Sequence, residues 1–289
     1  MNLKNFALYI LYFPFLIINR LFILLGLRED CRVRVILFHD IPKDAIETFR
    51  EKILYLSKKW NFISPNEFED HLNGSLRLSG DNLLLTFDDG YKSNRVVAEQ
   101  VLDQLSIKAI FFIISNFLDV KEKKTINEFV KNNLFPEWKS SKTPMVVSNL
   151  EPMTSEDLNF LISRGHAIGA HTATHANLAS IESDSHLYEE IIQCGDKLED
   201  KLGVKIKHFS FGFGNVCFFS KDALKLAKTR YEFIHTGMRG LNKRKGKKWA
   251  IRRDPLSLDD NSTLDKSFLE GAADYRYKKD FIEYESWSI

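Results

Sequence analysis

Short apolar runs alternate with amphipathic stretches along most of this chain, and the alternation begins near residue 32. Residues 33–38, 83–87 and 109–114 are apolar almost throughout and are too short for buried helices. They read as strands covered on both faces. The stretches between them have helical spacing. Phe49, Ile53, Leu54 and Leu56 mark a helix over 46–60, and Ser64, Pro65 and Glu67 start another. Residues 93–105 and 187–202 are helical, the latter closed by Gly203. Thr154 and Asp157 form a capping box for 154–164, which stops at Gly165. Residues 167–169 lead into a further strand, and a helix over 221–229 separates strand candidates at 209–213 and 231–236. Residues 119–150 are polar and irregular, as in an inserted loop. Strands alternating with helices predict an α/β fold with mainly parallel strands.

The first thirty residues follow a different pattern. The run 6–27 is apolar except where Asn19 and Arg20 break it, and Pro14 interrupts its first half. A spanning helix needs about 20 apolar residues, a length reached here only by carrying Arg20. No small-x-small cleavage site follows, as a signal peptide would require. Residues 1–30 are therefore read as an apolar membrane-associating segment, with a buried core helix as the alternative, and 31–289 as one catalytic domain. Arg28, Arg32 and Arg34 follow the run and outnumber Lys4 before it, which favours the cytoplasmic side for that domain.

Composition narrows the class. Of 289 residues, 44% are hydrophobic and the net charge is only +2, which excludes general disorder and gives no global case for nucleic acid. The cysteines Cys31, Cys194 and Cys217 are odd in number and far apart, so they form no disulfide framework or zinc ribbon.

Two motifs carry chemistry. Thr86-Phe87-Asp88-Asp89-Gly90 ends one predicted strand, and His171-Thr172-Ala173-Thr174-His175 follows another. Strand ends of parallel sheets form the ligand face, so both motifs point to one rim. Adjacent carboxylates alone are often a helix cap and its neighbour. Histidines four apart would share a helix face, a spacing used in metal sites. Together the motifs supply two imidazoles and a carboxylate, a set that leaves an open position for water. The second aspartate would then lie beside that water as a general base.

On these residues the chain resembles the polysaccharide deacetylases of the carbohydrate esterase family 4 type, from about residue 33 to near the C-terminus. Gly165-His166-Ala167-Ile168-Gly169 and Leu37-Phe38-His39-Asp40 are similar to further segments of that family. The resemblance implies a distorted (β/α)7 barrel, with Asp88 as catalytic base and Asp89, His171 and His175 as metal ligands. It implies a divalent metal ion, zinc foremost, although these donors also accept cobalt, nickel or manganese. Phe211-Gly212-Phe213-Gly214 stands where the family has Arg-x-Pro-Tyr-Gly. Phe213 would supply a backbone N–H to the oxyanion, and no arginine stands there to orient Asp88. The family's late Leu-x-His is absent. His235 is the nearest candidate general acid, with a buried structural role as its alternative, and His39 is a second. His71, His186 and His208 lie in polar surroundings and read as solvated; His166 reads as structural.

Residues 239–253 hold eight Lys or Arg and no acid. This is either a solvated loop or a contact for the phosphates of lipid headgroups or of a lipid-linked glycan. Nucleic acid is not expected, since Trp249 is the stretch's sole stacking residue. The function expected is removal of an acetyl group, N-acetyl first, from a sugar of a membrane-associated polysaccharide or lipid-linked glycan. Two alternatives stay open: a catalytically silent membrane-bound glycan-binding protein, and hydrolysis of another C–N amide bond.

Overall fold

The computed structural model describes residues 10, 12–26, 31–135 and 150–287. The apolar runs become strands because both their faces are covered. These are β1 (Arg32–Phe38), β2 (Asn61–Phe62), β3 (Asp81–Phe87), β4 (Ala109–Ile113), β5 (Ala167–Ala170), β6 (His208–Ser210), β7 (Phe233–His235) and β8 (Asp254–Pro255). Seven lie in the order β7-β6-β5-β4-β3-β1-β8, and β2 pairs with β3 beside that path. Every pairing is parallel. Alternate residues separate two cores. Ile36, Phe38, Leu85 and Phe87 face the helices, while Val33, Val35, Leu84 and Ile110 face the inside of the curl. The sheet is a curled half-barrel, and a single bridge between His235 and Ile251 links β7 back towards β8. This agrees with the α/β fold expected.

Several helices start where side-chain caps satisfy free N–H groups. Ser64 and Glu67 cap Pro65–Asn73 reciprocally, and Thr154 and Asp157 do the same for Ser155–Ser163. Gly203 ends Cys194–Leu202 in the left-handed conformation. The expected loop at 119–150 is in part helical: Lys123–Phe129 continues as a wider turn to Leu134, and 136–149 lie outside the described residues. Its apolar positions, Ile126, Val130 and Leu134, are widely spaced among polar ones but bury together against Phe117.

The N-terminal segment is organised differently from the expectation. Residues 6–9, 11 and 27 lie outside the described residues. The helix Tyr12–Leu24 has 13 residues, and among the described residues no helix is long and apolar enough to cross a membrane. Arg20, half exposed, pairs with Asp81 at 3.1 Å. Asn19 is buried and donates to the Glu270 carbonyl at 2.9 Å and to its carboxylate at 2.8 Å. Arg32 and Arg34, counted above as flanking charges, are also buried. Arg32 pairs with Asp81 and Glu270, and Arg34 with Asp254 and Asp274. Both charges are balanced by carboxylates within the fold.

Burial alone would raise the Glu270 carboxyl, but bonds from Arg32, Lys59 and Asn19 prevail and hold it down at about 2. A depressed carboxylate contributes stability that is fully present above its ordinary value of 4.5 and lost as pH falls through about 2. That contribution is on the order of 2 kcal/mol after screening. Urea unfolding at pH 6, 4 and 3 should show this loss, and Glu270→Gln should flatten it.

Candidate active site

Asp88 and Asp89 follow β3 directly and His171 follows β5, so parallel strands deliver both motifs to one rim. The segment after His171 is a loop rather than the expected helix face. Its backbone is left-handed at Thr172 (φ 62°) and His175 (φ 64°), which brings the two imidazole centres to 5.1 Å. The Thr172 hydroxyl accepts from the His175 N–H at 2.8 Å. Buried Glu190 ties the loop down. Its carboxylate accepts from the Thr174 N–H at 2.9 Å and the Thr174 hydroxyl at 2.6 Å, and its carbonyl accepts from the Ala173 N–H at 3.0 Å. Asp89 (φ 71°) and Phe213 (φ 59°) are left-handed as well. Such backbone costs of order 1 kcal/mol per residue, and its concentration here marks a site whose geometry outweighs local preference.

Each imidazole is oriented by its far nitrogen. His171 Nδ1–H donates to the Ser210 carbonyl at 2.8 Å, and His175 Nδ1–H donates to the Asn133 carbonyl at 3.1 Å. This leaves both Nε2 lone pairs facing Asp89 Oδ1, at 3.5 and 3.7 Å. That oxygen is buried and accepts no hydrogen bond from the described residues. Donors around one zinc-sized ion at bond lengths near 2.1 Å lie about 3.4 Å apart in a tetrahedral set. The three side chains therefore fit a divalent cation. Burial lowers His175 to about 4, so its imidazole is neutral and able to ligate near pH 7. Burial would raise Asp89, but His171 and His175 hold its carboxyl well below the usual range.

Asp88 has a partner that lies far away in sequence. Arg253 grips both carboxylate oxygens, Nη1 to Oδ1 at 2.7 Å and Nη2 to Oδ2 at 2.9 Å. The guanidinium also donates to the Ser210 hydroxyl at 2.5 Å and the Thr236 carbonyl at 3.0 Å, and both residues of the pair are buried. Burial pushes the Asp88 carboxyl up; the Arg253 charge, with His171 adding to it, more than offsets this and holds it below its ordinary value. The sequence shows no orienting arginine near residue 211, and the structure supplies one from the end of the basic stretch. Burial was the missing information: Arg253 reads as one of eight similar charges until the fold places it.

A cavity of about 570 Å³ opens over these groups, lined among others by His39, Asp88, Asp89, His171, His175 and Phe213. The Phe213 ring packs on His175 with centres 4.4 Å apart. A Cβ on Gly212 would come within 3.3 Å of the His175 ring. His235 does not reach this cavity. It is fully buried inside the curl, packed on Phe112, with Nε2 3.0 Å from His208 Nδ1, and burial lowers it well below its ordinary value. A strand-end position predicts the rim, but the side chain points inward. His71 and His208 are buried too, against the solvated reading, and Glu69 faces His208 at 3.1 Å. His186 is half exposed as expected. His166 is structural, its Nδ1 accepting from the Ala109 N–H at 3.1 Å.

The sequence profile described as "Polysaccharide deacetylase" matches residues 77–231, just over half of the chain. The chain belongs to the polysaccharide deacetylase family. Solved structures with the same fold include IcaB from Ammonifex degensii, at 19% identity and TM-score 0.64 over 84% of this chain and 99% of that one. The Streptococcus pyogenes deacetylase PplD in complex with acetate has 16% identity and TM-score 0.63 over 83% and 99%. A de-N-acetylase from Aggregatibacter actinomycetemcomitans has 17% identity and TM-score 0.64 over 82% and 100%. No curated protein sequence gives a significant match. The matched span of this deacetylase-family chain holds Asp88, Asp89, His171, His175 and Phe213, and leaves out His39 and Arg253.

The basic stretch 239–253 is largely used by the fold. Arg239 faces Asp254, Arg244 donates to the Leu76 carbonyl, and Arg252 stacks on Phe281. Arg239, Arg244 and Arg252 thus each have a partner within the fold. Glu190 is the positioning residue that sequence reasoning missed, because it lies in an ordinary-looking helix. Glu190→Ala should lower kcat/KM by about 10- to 100-fold through the loosened His171–His175 loop and, by unpairing the Thr174 N–H and hydroxyl, lower stability by about 1–3 kcal/mol, with Glu190→Gln recovering part of both. Steady-state kinetics beside chemical denaturation checks this.

Proposed function

We propose that this protein is a metal-dependent hydrolase that removes acetyl groups, N-acetyl first, from a sugar of a membrane-associated polysaccharide. The observation that carries the reading is the Asp88 carboxylate, clamped by Arg253 and only 3.7 Å from His171 Nε2 beside the Asp89–His171–His175 cluster. A divalent cation held by those three residues, zinc first among the candidates, would supply Lewis acidity to the acetyl carbonyl and to water. Asp88, kept ionised by Arg253, takes the proton of the attacking water. The Phe213 N–H faces the oxygen of the tetrahedral centre. His39 lines the cavity together with Asp88 and Asp89, whereas His235 does not reach it, so His39 takes the place of His235 as the group that protonates the leaving amine. Residues 1–30 hold the catalytic domain, 31–289, at a membrane.

The silent glycan-binding alternative drew its support from the altered segment at 211–214 and from the absent late Leu-x-His; Arg253 supplies the charge beside Asp88 that the first lacks, and the second still speaks for that reading. The test is acetate release from N-acetylglucosamine oligomers with bound metal measured on the same sample. Asp88→Asn should retain metal and lose about 10²- to 10⁴-fold in rate. Metal retention with an unchanged rate would end the assignment of Asp88 as base.

A further inference from the structure

We propose that the helix Tyr12–Leu24 lies flat in the headgroup boundary of an anionic phospholipid bilayer and holds the catalytic cavity facing away from that surface. This rests on the membrane association proposed above and adds to it a face and an orientation.

The helix is apolar on both faces. Inward, Tyr12, Phe15, Leu16 and Ile23 are half-buried around buried Asn19, which is fastened to Glu270. Outward are Phe13, 65% exposed, Ile17, 64%, Leu21, 48%, and Leu24, 84%. They recur at three- and four-residue spacing and form one apolar stripe. A helix in contact with water alone would turn these residues inward and Asn19 outward. A contiguous apolar stripe on an otherwise well-buried fold marks a surface that something apolar covers.

The groups beside the stripe identify what covers it. Lys266 lies 5.9 Å from the Tyr12 ring and 4.4 Å from the Tyr55 ring. Exposed Lys58 flanks Tyr55 at 5.9 Å. Tyr275, which shares a small cavity with Phe15, is exposed beside Arg276. Tyrosines with a polar tip and cations on flexible stems are the composition of a membrane–water boundary, and the cations complement anionic headgroups.

The attachment points give the orientation. Arg20 pairs with Asp81, the first residue of β3, and Asn19 reaches Glu270, which pairs with Arg32 at the start of β1. Asp88 and Asp89 follow the last residue of β3. Seven residues of strand separate the two ends, on the order of 20 Å. The cavity therefore opens at the pole remote from the helix. The glycan it meets is a stretch of polymer standing off the bilayer, not the sugar attached to a lipid headgroup.

The test uses the full-length protein and vesicles of phosphatidylcholine and phosphatidylglycerol. The intact protein should co-sediment with them, and Ile17→Glu combined with Leu21→Glu should weaken binding about tenfold or more. The thermal midpoint should hold, since both side chains point outward. For orientation, a fluorophore on exposed Cys217, two residues beyond the cavity-lining Asn215, is compared in a Cys31→Ser background with one on Phe13→Cys in a chain lacking both other accessible cysteines. Brominated lipids should quench the Phe13→Cys probe and not the Cys217 probe. Binding that survives the double substitution overturns the helix face and leaves membrane association standing. No binding by the intact protein overturns the association itself. Quenching at Cys217 overturns the orientation. A dimer that the substitutions dissolve gives the face to a second copy and also overturns the proposal. Acetate release from soluble oligomers depends on none of these, so the catalytic reading is judged separately.

Discussion

Arg253→Met should cost activity and stability together. The substitution removes both hydrogen bonds to Asp88 and the guanidinium charge that grips its buried carboxylate. Breaking a buried pair on one side costs about 3–5 kcal/mol. Kinetically, a base displaced by an ångström forfeits about 10²-fold in kcat/KM. The pH profile separates the two effects. With Arg253 present the Asp88 carboxyl sits below its ordinary value, so the base is ionised throughout the neutral range. Without Arg253, burial dominates and the proton is held more tightly. The acidic limb of kcat/KM should then move to higher pH, and part of the lost rate should return on raising the pH. Arg253→Lys should recover stability more than rate, because a point charge cannot fork onto both oxygens. An unmoved acidic limb in Arg253→Met would show that the arginine is structural only.

His171→Ala should abolish metal retention and reduce acetate release by more than the roughly 10- to 100-fold that losing an outer partner costs. The loss is that severe because His171 faces both carboxylates, Asp89 at 3.5 Å and Asp88 at 3.7 Å. The clearest readout is thermal. Added zinc at a hundred times its dissociation constant should stabilise the intact protein by about 2.7 kcal/mol, by mass action on the folded state alone. The variant should show no such shift at the same concentration. A variant that still gains stability from zinc would place the ion elsewhere.

The strands and the four residues Asp88, Asp89, His171 and His175 were legible because their signals are local. An apolar run such as 83–87 shows its burial by itself, and a motif at its end shows the rim. Three features were not legible. The left-handed turns at Thr172 and His175 replace a helix that the four-residue spacing suggests, since spacing carries no record of φ. The short strand Asp254–Pro255 and the C-terminal helices carry no strong period and are set by tertiary contacts. Arg253 and His235 show the same limit from opposite directions. One looks like a solvated charge and is the clamp on the base. The other looks like a rim histidine and is sealed inside the curl, because strand residues alternate inward and outward and one position decides which.

The Asp88–Arg253 pair also spans 165 residues of chain. During synthesis the ligand set is complete once His175 has emerged, but the clamp arrives about 80 residues later, at ~5–20 residues per second. Until then the pocket would have to bury a lone carboxylate, so the catalytic end of the sheet has reason to stay open. Its closure is tied to the last strand, and a product truncated before residue 253 would carry every ligand and still lack a seated base.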